Sequence, residues 1–178
     1  TVLPLVLPEA RSIAEVARAL EALDVSIDVL INNAGWMASG ERFGGIALDN
    51  LRDAFCANAA GPFLLTQALT PSLAAGAKVV NLSSGLGSIA GTHALNTPSY
   101  AISKAALGMA SRLLSIALAE HGAIVVAMSP GWVRTDMGGA NAPRAPAQAV
   151  AELLRVIDRL ERADSGRFLD PQGADIAW

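Results

Sequence analysis

Short apolar runs alternate with longer segments of helical periodicity along this chain of 178 residues, and no other feature limits the possible folds as strongly. Parallel strands need long crossover connections, which are usually helices, so the alternation predicts an α/β fold with a parallel sheet covered by helices. At this length we expect one domain over residues 1–178. The predicted strands are 2–7, 27–31, 78–82, 123–128 and 167–169. The predicted helices are 9–23, 48–73 with a bend near Gly61-Pro62, 97–120, and an amphipathic segment from Pro146 onward.

Composition and charge exclude several classes of function. Hydrophobic residues make up 52% of the chain, but Gly, Asn, Ser or charged residues interrupt every apolar run before it could cross a bilayer, so we predict no membrane partner. The net charge of -3 is spread over interspersed acids and bases, which argues against a nucleic-acid partner. The single cysteine, Cys56, and the isolated His93 and His121 predict neither a disulfide framework nor a metal site. These features, without a signal-peptide pattern, predict a reducing, cytoplasmic setting.

Tyr100 and Lys104 lie four residues apart on the predicted helix that begins at Thr97-Pro98, so they share one helical face. An ammonium near a phenol stabilises the ionised form, which predicts a lowered pKa for Tyr100 and a role in proton transfer. Taken alone, a Tyr-x-x-x-Lys spacing is more often simply an exposed helical face. Only the other motifs around it favour the functional interpretation.

Serines follow the strand 78–82, at the carboxyl edge where open α/β sheets bind their ligands. The hydroxyl of Ser84 is a candidate to polarise a substrate carbonyl, and Ser88 is the alternative. Either serine can instead satisfy backbone groups at the end of the strand.

Small and polar residues also follow two other predicted strands. Asn33, Ala34 and Gly35 come after the strand 27–31, where small residues bring the backbone close to a ligand. A plain turn is the alternative interpretation for this segment. Asn58 lies in a helical pattern that asparagine disfavours, so it either bonds the local backbone or serves another purpose. The strand 123–128 is followed by groups that can face an amide-bearing ring: Pro130, Gly131, Val133 and Thr135.

These features occur together in one order, and as a set they resemble the short-chain dehydrogenase/reductase family over essentially the whole chain. The motifs that carry the resemblance are Asn32-Asn33-Ala34-Gly35, Asn58-Ala59-Ala60-Gly61-Pro62, Asn81-Leu82-Ser83-Ser84, Tyr100-Ala101-Ile102-Ser103-Lys104 and Pro130-Gly131-Trp132-Val133-Arg134-Thr135. The run 128–137 and the ending 165–178 are most similar to the C-factor and sniffer-like carbonyl reductase branch. The resemblance implies a Rossmann-like doubly wound sheet, a small carbonyl or alcohol substrate, and a homodimer or homotetramer.

The same resemblance implies a role for each site residue. Tyr100 would protonate a carbonyl oxygen as hydride arrives from NADP or NAD, with NADP slightly favoured. Lys104 would lower the pKa of Tyr100 and bind the nicotinamide ribose, Ser84 would bond the substrate oxygen, and Asn58 would hold a water linked to Lys104. A long loop between Ser84 and Tyr100 leaves Ser88 open as the alternative. The remaining residues expected to line the cofactor are Asn33, Ala34, Gly35, Pro130, Gly131, Val133 and Thr135.

One part of the family pattern has no counterpart in these 178 residues, namely the glycine-rich turn before a helix that holds the cofactor pyrophosphate. The resemblance aligns 2–7 with the family's third strand, and the family's strand order then predicts that 29–31 forms an unpaired apolar edge. Upstream residues, the segment 2–7 itself, or a second chain could cover this edge, and we favour upstream residues. A protein without the nucleotide site is the alternative function, a signalling or interaction protein on the reductase scaffold.

Overall fold

A computed structural model describes all residues 1–178 and contains one four-stranded parallel sheet in the order β1-β2-β3-β4. The strands are β1 (Ile27–Asn32), β2 (Leu73–Leu82), β3 (Ile124–Met128) and β4 (Phe168–Leu169). The helices are α1 (Ala10–Ala22), α2 (Leu48–Phe55), α3 (Gly61–Leu69), α4 (Pro98–Ala117) and α5 (Pro146–Arg159). The predicted α/β class with a parallel sheet is therefore confirmed.

Helices cover both faces of the sheet, as a doubly wound fold requires. On one face, Val80 and Val126 pack against Leu153 and Ile157 of α5. The alternate strand residues point to the other face, where a second cluster joins Val79 and Val125 to α4. A third cluster packs α1 against α3 on that side: Ile13, Leu65 and Leu69, with Leu30 of β1 against it. None of the helices combines the length and the apolar character needed to cross a membrane.

The prediction of a strand at 2–7 is wrong, because this segment pairs with no other strand. It is held instead by a hydrogen bond from Val6 N to Ser12 Oγ of 2.9 Å and by packing of Leu7 against Gly61. A sequence of strand-forming residues becomes a strand only where a neighbour supplies its hydrogen bonds, and no strand lies next to it here. The possibility that 2–7 pairs beside β1 is therefore also wrong for this structure.

β1 forms one edge of the sheet, as the family's strand order predicts. Val29 and Ile31 are 43% and 41% exposed, because α5 covers β2 and β3 but does not reach them. An apolar edge of this kind offers both backbone groups and side chains to a further element.

The helical region predicted over 48–73 is divided at a π-helical turn, Cys56–Ala60, between α2 and α3. Pro62 lacks the N–H that would bond the carbonyl of Asn58 four residues earlier, and Gly61 N bonds Cys56 O five residues back. The irregularity near Gly61-Pro62 is thus confirmed. β2 begins at Leu73, earlier than expected, and α4 ends at Ala117.

Candidate active site

The carboxyl ends of β1, β2 and β3 lie at one edge of the sheet, and α4 runs beside that edge. Lys104 reaches the end of β2, where its Nζ donates to Leu82 O at 2.6 Å. A Cβ placed on Gly35, after β1, would lie 3.6 Å from Asn58 Oδ1 and 3.9 Å from Lys104 Nζ. Met137, after β3, would be 4.0 Å from the same point. Segments distant in sequence therefore converge around the Lys104 ammonium.

Close backbone packing places Lys104 at this position. The loop after β2 contains Gly87, and a Cβ there would lie 2.8 Å from the Lys104 carbonyl carbon. A side chain at residue 87 would therefore push α4 away from β2. Glycine permits the approach that lets Lys104 bond the last carbonyl of the strand.

Lys104 is only 4% exposed, and this burial changes the protonation equilibrium of its side chain. Removal from water disfavours the ammonium and lowers its pKa from 10.5 to about 8. One of its three donors is used by Leu82 O, which leaves two for oxygen atoms of another molecule.

Tyr100 lies one helical turn before Lys104, with the Lys104 Nζ 5.6 Å from the centre of its ring. Its pKa is raised, mainly because burial disfavours the phenolate, and a hydrogen bond with the Ser84 side chain opposes this effect. This direction is opposite to the lowering expected from the ammonium. The reason is the burial of the phenol, which disfavours the phenolate more than its neighbours favour it. The structure nevertheless brings the Tyr100 and Ser84 side chains together.

The structure distinguishes the two candidate serines. Ser84 is half-buried at the start of the short helical turn Gly85–Gly87, and its hydroxyl accepts a long 3.2 Å bond from Leu86 N and interacts with the Tyr100 side chain. Ser88 donates to Ala177 O at 2.5 Å and accepts from Gly91 N at 2.9 Å, so its hydroxyl is already committed. This geometry favours Ser84 as the group that contacts a substrate.

Asn58 is fully buried in the π-helical turn, and its amide joins β1 to α4. Its Oδ1 accepts from Trp36 N at 2.7 Å, and its Nδ2 donates to Trp36 O and to Ser103 Oγ, both at 2.8 Å. Both donors and one acceptor position of the side chain are therefore used by protein groups. Pro62, four residues later, has no N–H to donate to the Asn58 main-chain carbonyl, so this oxygen is the candidate to hold a water. Sequence reasoning missed Ser103 and Trp36, because nothing in their spacing shows that one amide joins them.

The residues predicted to line a cofactor fall into two groups around Lys104. Asn33, Ala34 and Gly35 are exposed at the end of β1, beside Lys104. The second group follows β3: Pro130, Gly131, Val133 and Thr135. Within it, Gly131 has a φ of +74°, and Thr135 Oγ1 accepts from Gly138 N at 3.1 Å, so this hydroxyl stabilises its own turn.

These residues fit the nicotinamide and ribose part of a dinucleotide. The buried Lys104 ammonium has two donors left for ribose hydroxyls, and the adjacent Gly35 leaves the approach open. No strand and glycine-rich turn of the kind that binds a pyrophosphate occurs among the 178 residues, so they supply no counterpart for that part of the cofactor.

Comparisons with known proteins identify the family of this chain. A family model described as enoyl-(acyl carrier protein) reductase matches residues 5–167. The protein named C-signal from Myxococcus xanthus is 41% identical over 85% of this chain and 93% of its own length. Carbonyl reductase Sniffer of D. melanogaster superposes with a TM-score of 0.95 at 30% identity, covering 99% of this chain and 77% of that one. An NADPH-bound carbonyl reductase from chicken fatty liver gives 0.93 at 34% identity, covering 100% and 77%.

The matched region includes both sides of the site, from the loop after β1 to the turn after β3. The family match and these relatives confirm the resemblance seen in the motifs. The chain belongs to the short-chain dehydrogenase/reductase family of NAD(P)-dependent oxidoreductases and is similar to its sniffer-like carbonyl reductases.

Proposed function

We propose that this chain is a carbonyl reductase that uses NADPH in preference to NADH, acts on small aldehydes or ketones, and catalyses the reverse oxidation of alcohols. The observation that carries the proposal is the convergence of Tyr100, Ser84 and Lys104 at the carboxyl edge of the sheet, beside the open segment at Gly35. The NADPH preference follows the NADPH-bound chicken relative. A cytoplasmic location, compatible with the unpaired Cys56, belongs to the same proposal.

Each residue has a distinct task in this proposal. The Tyr100 hydroxyl donates its proton to the substrate carbonyl oxygen, and Ser84 donates a hydrogen bond to the same oxygen. Lys104 binds the ribose and stabilises the phenolate left on Tyr100 after proton transfer, while a water on the Asn58 carbonyl supplies the replacement proton. The nicotinamide, when bound, supplies the hydride.

Cofactor binding followed by turnover tests the proposal. Calorimetric titration of the chain with NADPH and NADH is expected to show binding, with NADPH the tighter ligand. NADPH oxidation is then followed with a panel of aldehydes and ketones. Binding of neither cofactor would contradict the proposed enzyme.

A signalling or interaction protein without bound cofactor is the second candidate. Two observations favour it: the exposed apolar edge at Val29 and Ile31, and the match to the protein named C-signal, which covers 93% of that protein's length. The same titration separates the candidates, because only the enzyme requires a nicotinamide cofactor.

We further propose that the chain forms a homodimer or homotetramer through α2, α3 and α4. A cavity of about 440 Å³ between these helices is lined only by apolar side chains: Phe55, Ala59, Ala60, Phe63, Leu64, Ala106, Met109, Ala110 and Leu113. Met109 at its rim is 62% exposed. Burial of such a surface is the main stabilising contribution in homodimers.

Met109→Asp is therefore expected to reduce the mass in solution to that of one chain, 18.3 kDa, because association would bury an unpaired carboxylate. Analytical ultracentrifugation measures this directly. Val2→Asp places the same charge on an exposed apolar position that does not line this cavity and should leave the assembly intact. An unsubstituted chain that sediments as a monomer would contradict the proposed interface.

A further inference from the structure

The first turn of α4, which carries Tyr100, does not receive the usual cap from its own sequence. Thr97 occupies the capping position but has a φ of +40°, in the left-handed region, and its side chain makes no capping bond. Its Oγ1 is buried without a hydrogen-bond partner. A threonine normally avoids this conformation, so contacts from elsewhere hold the start of the helix in place.

Glu41 provides the missing cap from a distance of 58 residues in sequence. Its Oε2 accepts from Ser99 N at 3.0 Å and from Ser99 Oγ at 2.8 Å, and its Oε1 accepts from Asn50 Nδ2 at 3.2 Å. Burial raises the pKa of the carboxyl, but these hydrogen bonds outweigh it, so the net pKa is lowered. The carboxylate thus stays ionised at the positive end of the helix dipole.

The position of Glu41 connects two parts of the candidate site. It lies in the loop between β1 and α2, whose other end Asn58 fixes through Trp36. Ser99 directly precedes Tyr100, so the Glu41 cap acts on the helical turn that presents the phenol.

We propose that Glu41 is a positioning residue: by bonding Ser99 it fixes the orientation of Tyr100 and holds the loop 37–47 beside the carbonyl site. The proposal rests on the proposed reductase function for its catalytic consequence. The cap itself acts on structure whether or not the chain turns over a substrate.

Three variants test the catalytic part. Glu41→Ala removes the cap, Glu41→Gln keeps an oxygen acceptor without the charge, and Glu21→Ala removes an exposed glutamate of α1 as the matched control. We expect Glu41→Ala to lower kcat for carbonyl reduction about tenfold, with the KM for NADPH nearly unchanged, because the phenol is misplaced while the cofactor contacts persist. Glu41→Gln should recover most of kcat, and Glu21→Ala should match the unsubstituted chain.

A spectroscopic measurement reports the position of Tyr100 without any turnover. The chain contains one tyrosine, so the absorbance of tyrosinate during a pH titration comes from Tyr100 alone. Burial holds its pKa above the ordinary value, and a loosened first turn should let water in and move the midpoint back toward that value. Glu41→Gln, which also lacks the negative charge, should titrate like the unsubstituted chain if position rather than charge is responsible.

Hydrogen exchange of the backbone completes the test. Glu41→Ala should speed exchange in the first turn of α4 and in the loop 37–47, but Glu21→Ala should change neither. If Glu41→Ala changed neither the exchange rates nor the Tyr100 midpoint, the proposal would be overturned. It would also be overturned if Glu41→Ala sped exchange in the first turn of α4 but kept full kcat. An unsubstituted chain that neither binds NADPH nor reduces carbonyls would instead overturn the reductase function, while exchange and the Tyr100 titration would still decide whether Glu41 positions the phenol.

Discussion

Tyr100→Phe is expected to lower kcat for carbonyl reduction by at least about 10³-fold, because it removes the hydroxyl that donates the proton and removes nothing else. Tyr100 is only 8% exposed, and phenylalanine keeps the ring that fills its place beside Lys104. The dissociation constant for NADPH should change by no more than about twofold, since Lys104 keeps its ribose-binding donors. Steady-state NADPH oxidation and calorimetry measure the two quantities on the same preparation.

Ser88→Ala is the matched control for this experiment, since it also removes one buried hydroxyl near the site. Ser88 bonds Ala177 O and Gly91 N, so its loss should reduce the free energy of unfolding by about 1–3 kcal/mol yet leave kcat close to that of the unsubstituted chain. If Tyr100→Phe retained full activity, the phenol could not be the proton donor. If Ser88→Ala instead abolished activity without unfolding, the choice of Ser84 over Ser88 would be wrong.

The sheet was predictable because buried parallel strands have a direct signature in sequence. Runs such as 78–82 and 123–128 carry apolar residues on both faces, and the structure places them at β2 and β3, in the middle of the sheet. The segment 2–7 has the same composition and yet forms no strand. Strand formation depends on a neighbour that composition does not show, so the error falls at the end of the sheet where the neighbour is absent.

The candidate site was predictable to the extent that its residues follow strands or share a helical face. Ser84, Gly35 and Lys104 meet because strand ends and one helix face meet by geometry, which spacing reveals. The contacts that hold these residues in place were not predictable. Glu41 caps a helix 58 residues away, and Ser103 bonds an amide 45 residues away, and neither pairing leaves a local pattern.

The direction of the Tyr100 pKa also could not be read from the sequence. A spacing of four residues shows that an ammonium lies one turn away from the phenol, and this alone predicts a lowered pKa. The depth of burial, which depends on the tertiary fold, decides the balance.

Lys104→Met is expected to lower kcat/KM for carbonyl reduction about 100-fold, because methionine fills a similar volume but offers no donor to a ribose and no charge to a phenolate. Its comparator is Lys78→Met, which removes the chain's other lysine. Lys78 Nζ bonds Ile157 O at 2.6 Å and Asp158 O at 3.0 Å at the end of α5, away from the site. Lys78→Met should therefore lose stability while keeping its kcat/KM.

The pH dependence of stability tests the burial of Lys104 without any substrate. The pKa is about 8 in the folded chain and 10.5 at its ordinary value, so between these two limits the unfolded chain binds more protons than the folded chain. The contribution of Lys104 to the free energy of unfolding therefore rises with pH, by about 1.5 kcal/mol between about pH 8 and about pH 9.5. The raised pKa of Tyr100 acts in the opposite direction only above its ordinary value of 10.0, outside this interval.

Urea unfolding at a series of pH values measures this rise. The unsubstituted chain and Lys78→Met should both show it, and Lys104→Met should not, so the difference between the two variants isolates the one buried ammonium. An identical slope in Lys104→Met would mean that the ammonium is solvated in the folded chain. Lys104 would then lack the lowered pKa that follows from its position beneath Gly35 and beside Tyr100, and the site geometry from which the reductase function is inferred would be wrong.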